Sequence, residues 1–274
     1  MQWPSNNLSG AIVSSIAGAT PDLTIEQYEA LDPHRIVQHG RMEVIYATPN
    51  VGTQWRVETL FSKEPETIEW IAGFQPGEVL VDIGANVGMY SIWAAKTRNA
   101  RVYAFEPESQ NYALLYKNIV LNQLSKQVIA YCLALSDEAG FSLLHLNQFQ
   151  AGRANHSYGE EVDYNLHYRE FEVSQGCMSA TLDSLVASGV VPIPDHIKVD
   201  VDGFEHKVIT GCANIIADRH LKSVLIEINT NLEQHRKIVT DMQVLGFTYS
   251  EEQVAKALRT EGPFTGIGNY VFSR

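Results

Sequence analysis

Five short apolar runs, at residues 79–81, 102–105, 128–135, 197–201 and 224–228, dominate the pattern of this chain. Each is too short for a helix, is rich in β-branched residues, and lacks the apolar–polar alternation of a half-buried strand. Such runs predict strands covered on both faces, as in a parallel sheet. Helical spacing of apolar positions falls between and after them, at residues 87–96, 108–122, 181–188, 204–217 and 231–245, with Gly246 as a C-terminal cap to the last. The resulting βαβα order predicts a doubly wound α/β sheet with right-handed crossovers. Two further strands, at 247–250 and 269–272, are expected in the tail, joined by a polar loop.

Ahead of the first run, a short helix is expected over 22–31, stopped by Pro33. Residues 41–48 and 54–60 predict two strands of a hairpin turning at 49–52. A helix over 64–72 follows, with Pro65 in its first turn and Gly73 past its end. Residues 1–20 carry no charge and predict an arm. One stretch breaks the alternation: residues 141–179 have strand-like ends, at 141–146 and 170–174, around a middle rich in His, Tyr, Asn and Gly. It is expected to be a rim insertion acting as a lid or binding loop. The expected division is an N-terminal arm and hairpin extension over 1–60 and a single domain over 61–274.

Candidate chemistry gathers where the runs end. Val81–Ser91 carries a strand into a glycine-containing turn and then a helix. Gly84 permits the tight turn and Gly88 close packing, but the spacing is G-x-N-x-G and lacks the middle glycine of a dinucleotide fingerprint. Glu106 closes the second run, 22 residues after Gly84, where an acid can accept ribose hydroxyls. It could instead cap the next helix, which Pro107 opens. Lys198, Asp200 and Asp202 alternate at the end of the fourth run, where the ligand crevice of an open α/β sheet lies. Glu227 and Asn229 hold the matching end of the fifth. These acids suit a general base, a pairing with Lys198, or a divalent cation such as Mg²⁺ held by Asp200, Asp202, Glu227 and Asn229. The insertion's His145, His156 and His167 are candidate substrate contacts, and His156 is a further candidate base.

Composition narrows the partners. With 45% hydrophobic and 19% charged residues, the 274-residue chain is globular, neither disordered nor coiled coil. A net charge of −12 opposes polyphosphate, so a neutral or cationic small molecule is expected rather than nucleic acid. Cys132, Cys177 and Cys212 form no CxxC, so neither a disulfide framework nor a zinc site is expected, and the cytoplasm is the expected compartment. No apolar stretch reaches the ~20 residues of a membrane span. Residues 11–19 end like a leader cleavage site, but no Lys or Arg precedes Arg35, and a leader is not expected. A homo-oligomer is compatible with this composition and not specified by it.

Several segments together carry a family resemblance: VDIGANVGMYS at 81–91, YAFEPE at 103–108, ALSD at 134–137, ATLDSL at 180–185 and KVDVDGFE at 198–205, preceded by WRVETLFSKEPETIEW at 55–70. Their order and combination resemble FkbM-type S-adenosylmethionine-dependent methyltransferases over about residues 41–274. The resemblance implies a seven-stranded Rossmann-like methyltransferase fold, mostly parallel, with its last strand antiparallel beside the fifth. It also implies O-methylation of a small molecule, sugar or natural product. By resemblance, Asp82, Gly84, Ala85, Asn86, Gly88 and Tyr90 line the methionine end of the cofactor, Glu106 with Pro107 holds the ribose, and Leu135, Ser136 and Asp137 meet the adenine. Asp200, which also borders the cofactor, is the first candidate for catalysis, with Lys198, Glu227 and His156 beside it. One departure is Val201-Asp202, where members often have Val-Glu. An NAD-dependent oxidoreductase and a non-catalytic Rossmann-like binding domain are the alternatives.

Overall fold

The computed structural model describes residues 23–274; the arm expected over 1–20 and the stretch at 11–19 lie outside the described residues. The chain divides into two units between Asp32 and Pro33. In the first, α1 (Ile25–Ala30) begins with a capping box, in which the Thr24 side chain accepts the Gln27 N–H and the Gln27 side chain accepts the Thr24 N–H.

The second unit opens with an antiparallel hairpin, β1 (His34–His39) and β2 (Met42–Ala47). It lies earlier than the sequence pattern suggests, and the segment taken for its second strand is instead α2 (Val51–Glu58). Asn50 caps that helix in a box with Thr53. Thr53 and Val57 are its inward residues, and a spacing of four is helical, not extended. Next come α3 (Pro65–Ala72), β3 (Val79–Ile83), α4 (Met89–Arg98), β4 (Arg101–Phe105), α5 (Ser109–Leu121) and β5 (Val128–Tyr131). The hairpin docks on α5, because Ile45 N–H donates to Asn122 Oδ1 (2.9 Å) and Ala47 N–H to Asn118 Oδ1 (2.8 Å).

The remaining elements are β6 (Ala134–Leu135), β7 (Gly140–Leu146), β8 (Ser157–Tyr158), β9 (Val173–Ala180), α6 (Leu182–Ala187), β10 (His196–Val199), α7 (Glu205–Gly211), α8 (Ala213–Ala217), β11 (Ser223–Asn229), α9 (Glu233–Val244), α10 (Glu251–Ala257) and β12 (Ile267–Ser273). The main sheet runs β12-β11-β10-β3-β4-β5. Every pair is parallel except β11 with β12, which is antiparallel as expected. This is the Rossmann-like methyltransferase architecture. The seventh strand shrinks to a single bridge, Thr248 to Ser273, and α10 interrupts the tail hairpin.

Two expected elements divide. The run at 128–135 breaks after Tyr131, and its end, β6, joins a second sheet of order β6-β9-β7-β8. The insertion is therefore a built sheet on the rim rather than a bare loop. The helix expected over 204–217 breaks at Cys212 into α7 and α8.

Alternate residues of the central strands feed two cores. Val81, Ile83, Phe105, Val199 and Ile226 pack with Leu182, Val208, Ile216 and Ile238 on one face. Leu80, Val102 and Ala104 pack with Tyr46, Ile71, Ile92 and Leu115 on the other. Burial on both faces is why the runs lack alternation, and each buried aliphatic side chain contributes about 1.5–3 kcal/mol. No helix among the described residues is long and apolar enough to cross a membrane. Cys132, Cys177 and Cys212 are free thiols.

Candidate active site

β3 and β10 are neighbours from which the chain winds in opposite directions, so a crevice opens at their carboxyl ends. Asp200 N–H donates to Ile83 O (3.1 Å), drawing the loop after β10 against the loop after β3. Gly84, at φ +79°, makes that approach possible: a Cβ there would stand 1.9 Å from the Asp200 carbonyl oxygen. Gly84 and Ala85 N–H both donate to Phe105 O at 3.0 Å, which binds the turn to β4. Gly88 has a different task. A Cβ there would meet Leu115 at 2.4 Å, so this glycine lets α4 pack on α5 and does not face the crevice.

A cavity of about 510 Å³ fills the crevice and is covered by Ala154, Asn155, His156 and Tyr158 of the insertion. Glu106 lies buried at its edge. Its Oε2 accepts the Asn86 N–H (2.8 Å) and its Oε1 the Glu108 N–H (2.9 Å). Burial pushes its carboxyl up to about 7, partly offset by those N–H donors. Capping of α5 falls to Glu108, which accepts from Gln110 and Asn111 N–H. Glu106 Oε1 also accepts from Asn111 Nδ2 (3.4 Å), and with three donors placed the carboxylate keeps acceptor capacity for one ligand hydroxyl. Pro107, Leu135 and Ser136 line the same cavity. Asp137 does not: it is exposed and accepts the Ser136 hydroxyl at 2.9 Å, so the short turn carries it away from the adenine edge assigned to it.

Beside the cavity is a smaller pocket of about 40 Å³, bordered by Asp82, Ala85, Tyr90 and Lys198. Gly84, Asn86 and Asp200 border both spaces. Asp82 is fully buried; its Oδ2 accepts the Ser91 hydroxyl (2.6 Å) and its Oδ1 has no partner. Lys198 Nζ is 2.9 Å from Asp200 Oδ2 and 5.4 Å from the Tyr90 ring centre.

The carboxylates at this end are driven apart in acidity. Burial opposes ionisation of Asp200, but Lys198 outweighs it and holds the carboxyl at about 2. Burial, and then the Asp200 charge, push Glu227 up to about 8 and Asp202 to about 6. Arg259 Nη1 holds one Glu227 oxygen at 3.0 Å. Asp202 does not continue a strand face, since β10 ends at Val199; it sits in a turn at φ +56° and accepts the Asn155 N–H (2.6 Å). Glu205 accepts Val201 N–H (2.8 Å) and Gly203 N–H (3.0 Å). His235 fixes the same turn: Nδ1 accepts Asn229 N–H and Nε2–H donates to Gly203 O (3.0 Å), so the ring is neutral, with burial lowering it to about 4.

The expected cation ligands do not assemble as a set. Asn229 donates to Tyr164 O and Asn165 Oδ1, outside the cavity. Asp202 is turned to the insertion. Carboxylate oxygens of Asp200, Glu205 and Glu227 do come within 4.8 Å of one another. Lys198 already holds one Asp200 oxygen, Arg259 one Glu227 oxygen, and two backbone N–H groups those of Glu205, so two cations are built into the cluster. His156 does line the cavity; Nδ1 accepts the Asn147 N–H (3.2 Å), so Nε2 carries the proton, buried and without a partner. Burial lowers its proton affinity, which makes it a neutral donor rather than a base. His145 instead pairs with Ser174 (2.9 Å), and His167 is exposed.

With this geometry in place, comparison with known proteins decides the class. Residues 82–249 match the methyltransferase FkbM domain. The chain belongs to the FkbM methyltransferase family. That membership decides against the oxidoreductase reading. The chain is 25% identical over 188 residues to the hexuronic acid methyltransferase AglP of Haloferax volcanii, covering 69% of this chain and 71% of that protein. It is 28% identical over 204 residues to the 31-O-demethyl-FK506 methyltransferase FkbM of Streptomyces tacrolimicus, covering 65% and 76%. The crystal structure of an FkbM methyltransferase from Methylobacillus flagellatus KT is similar at 12% identity and a TM-score of 0.48, over 73% of this chain and 44% of that one.

Within this FkbM methyltransferase, several cavity residues lie outside the matched span: Trp55, Arg56 and Lys63, from the segment at 55–70 to which no site role was assigned, and Arg259 and Phe264, from the tail. Arg56 comes from α2, the helix misjudged as a strand, so its inward direction was not legible. Asn111 is also unanticipated. Its Oδ1 accepts Gly152 N–H (2.7 Å), while its Nδ2 and that of Asn86 both donate to Arg153 O (3.1 and 2.7 Å). A buried Asn three residues after the helix-capping Glu108 was its one sequence signal.

Proposed function

We propose that this methyltransferase transfers the methyl group of S-adenosylmethionine to a hydroxyl of a small polar acceptor, of sugar or natural-product type. The observation that carries the reading is Glu106, buried at the end of β4 on the cavity beside the Gly84 turn, with acceptor capacity left after its three protein donors. About 510 Å³ suits a nucleoside and leaves room for a second ligand, unlike the blocked pocket a non-catalytic domain requires. The relatives' names, one a hexuronic acid enzyme and one acting at a 31-O position, support an oxygen acceptor. With its cysteines free, the enzyme in this reading works in the cytoplasm.

Bound S-adenosylmethionine supplies a methyl group already activated for transfer. The chain then has to bind, align and manage one proton. Glu106 accepts the ribose hydroxyls, and Leu135 and Ser136 border the base. Asp200, clamped by Lys198, is too weak a base for an alcohol and instead positions its neighbours. Glu227, held near neutrality, takes the proton of the acceptor hydroxyl, while Arg259 orients its carboxylate. The insertion, with His156 Nε2–H facing inward, covers the acceptor.

The test is ligand-dependent melting, followed by turnover. S-adenosylhomocysteine should raise the melting temperature and NAD should not. Incubation with S-adenosylmethionine and a panel of uronic acids, glycosides and polyols should then release S-adenosylhomocysteine with at least one acceptor. A shift with NAD alone would overturn the reading.

A further inference from the structure

The small pocket beside Gly84 has an unusual charge pattern. Arg56, Lys63 and Lys198 line it together with Asp82 and Asp200, and Lys198 is already paired with Asp200. Arg56 spends its Nε–H on Gly152 O (2.8 Å), and its two terminal nitrogens have no hydrogen-bond partner among the described residues. Lys63 spends one N–H on the buried Glu64. Facing these cations is Asp82, 1% exposed, whose Oδ1 is an orphaned acceptor. Leaving such an oxygen bare is unfavourable unless a ligand donor fills it. The space is about 40 Å³, enough for a carboxylate or an ammonium but not for a ring. A dianion such as phosphate is opposed by Asp82 and Asp200. A zwitterion matches both walls.

The pocket joins the large cavity at Gly84 and Asn86, so a ligand seated on Glu106 can extend into it there. We propose that Arg56 and Lys63 clamp the carboxylate of an amino-acid-bearing nucleoside, with Asp82 receiving its ammonium, and that Arg56 thereby fastens residues 150–156 over the occupied site. The proposal rests on the cofactor reading above. Both cations lie outside the family-matched span of 82–249.

The link to the insertion is direct. Gly152 accepts from Arg56 through its carbonyl and donates its N–H to Asn111 Oδ1, and it presses on α2 so closely that a Cβ would stand 2.7 Å from Thr53 Cγ2. Arg153 O is held by Asn86 and Asn111, both bordering the cavity. A carboxylate that immobilises the Arg56 guanidinium therefore also immobilises the carbonyl it holds.

The experiment compares S-adenosylhomocysteine with 5′-methylthioadenosine, which shares the nucleoside and lacks the amino acid. Calorimetry on the full chain should show S-adenosylhomocysteine binding at least ~100-fold more tightly, since two or more charge-assisted hydrogen bonds are at stake. Arg56→Gln should cost S-adenosylhomocysteine roughly 10- to 100-fold and leave methylthioadenosine within about 2-fold. Lys63→Met should act in the same direction. Hydrogen exchange over 150–156 should slow with S-adenosylhomocysteine, but neither with methylthioadenosine nor in Arg56→Gln. If neither nucleoside binds, the cofactor reading itself fails. If the two bind the unmodified chain equally, or Arg56→Gln weakens both alike, the cofactor reading stands and the clamp is overturned.

Discussion

Gly84→Ala measures how tightly the two crevice loops are held together. The added Cβ would lie 1.9 Å from the Asp200 carbonyl oxygen and 2.9 Å from its carbonyl carbon. Carbon–oxygen contacts settle near 3.3–3.6 Å, so one loop must retreat by more than ~1 Å. Asp200 cannot retreat freely, because its N–H is bonded to Ile83 O and its carboxylate to Lys198. Forcing such overlap costs ~1–3 kcal/mol, and the φ of +79° adds ~1–2 kcal/mol for any residue with a Cβ, giving ~2–5 kcal/mol together. Gly77→Ala is the matched control: its φ is +88°, but nothing lies within 4 Å of the added atom, so only the backbone cost of ~1–2 kcal/mol applies. Urea unfolding of both variants isolates the contact as their difference. Gly84→Ala should also lose S-adenosylhomocysteine binding, which Gly77→Ala retains, since Gly77 lies at the far end of β3. Equal destabilisation of the two variants would refute the close approach.

Three further outcomes are expected. Glu106→Gln should weaken S-adenosylhomocysteine by ~10-fold or more through lost charge-assisted bonds. Because burial raises the Glu106 pKa to about 7, its stabilising contribution is complete below its unfolded value of ~4.3 and is lost as pH rises through 7. Urea titrations of the free protein should show that fall, and Glu106→Gln should flatten it; an unchanged slope would mean the group is not buried as described. Glu227→Gln should cut turnover ~10²–10⁴-fold with cofactor affinity nearly intact, and the pH–rate profile of the unmodified enzyme should climb with an apparent pKa raised toward 8; a limb below pH 5 points to another base. Asn111→Ala strands Gly152 N–H and leaves Arg153 O to Asn86 alone, costs ~1–3 kcal/mol, and should speed hydrogen exchange over 150–156; unaltered exchange there would show that other contacts hold the segment.

The parallel strands were legible because burial on both faces leaves an unmistakable apolar run, and the Gly84 turn and Glu106 because they follow such runs directly. The segment at 54–60 was not. Trp55, Val57 and Thr59 imitate an alternating strand, and only the Asn50–Thr53 capping box and the inward pair Thr53 and Val57 betray the helix. The acids at 200–202 were placed on one strand face because nothing in Val-Asp-Val-Asp-Gly announces that β10 stops at Val199 and that Asp202 turns to positive φ. Arg56 and Lys63 reach the cavity from the segment at 55–70, where the resemblance implies no site role, and Arg259 from a tail that carries no motif. Tertiary packing alone assembles them.

The division of one apolar run between two sheets limits how this enzyme can be rebuilt. β5 belongs to the main sheet and β6 to the rim sheet, with only Cys132 and Leu133 between them. Leu135 and Ser136 therefore border the large cavity while the backbone of β6 is registered against β9, where Leu135 pairs with Ala180. The end of β6 is also wedged against α7, since a Cβ on Gly211 would lie 1.9 Å from Ser136 O. Acceptor cover and cofactor wall are thus one mechanical piece. A chimera that exchanges only residues 141–179 for those of a relative would disturb the nucleoside end as well as the acceptor end. Transplanting 134–180 as a block, with glycine kept at 211, is the smallest exchange that leaves the cofactor wall in register.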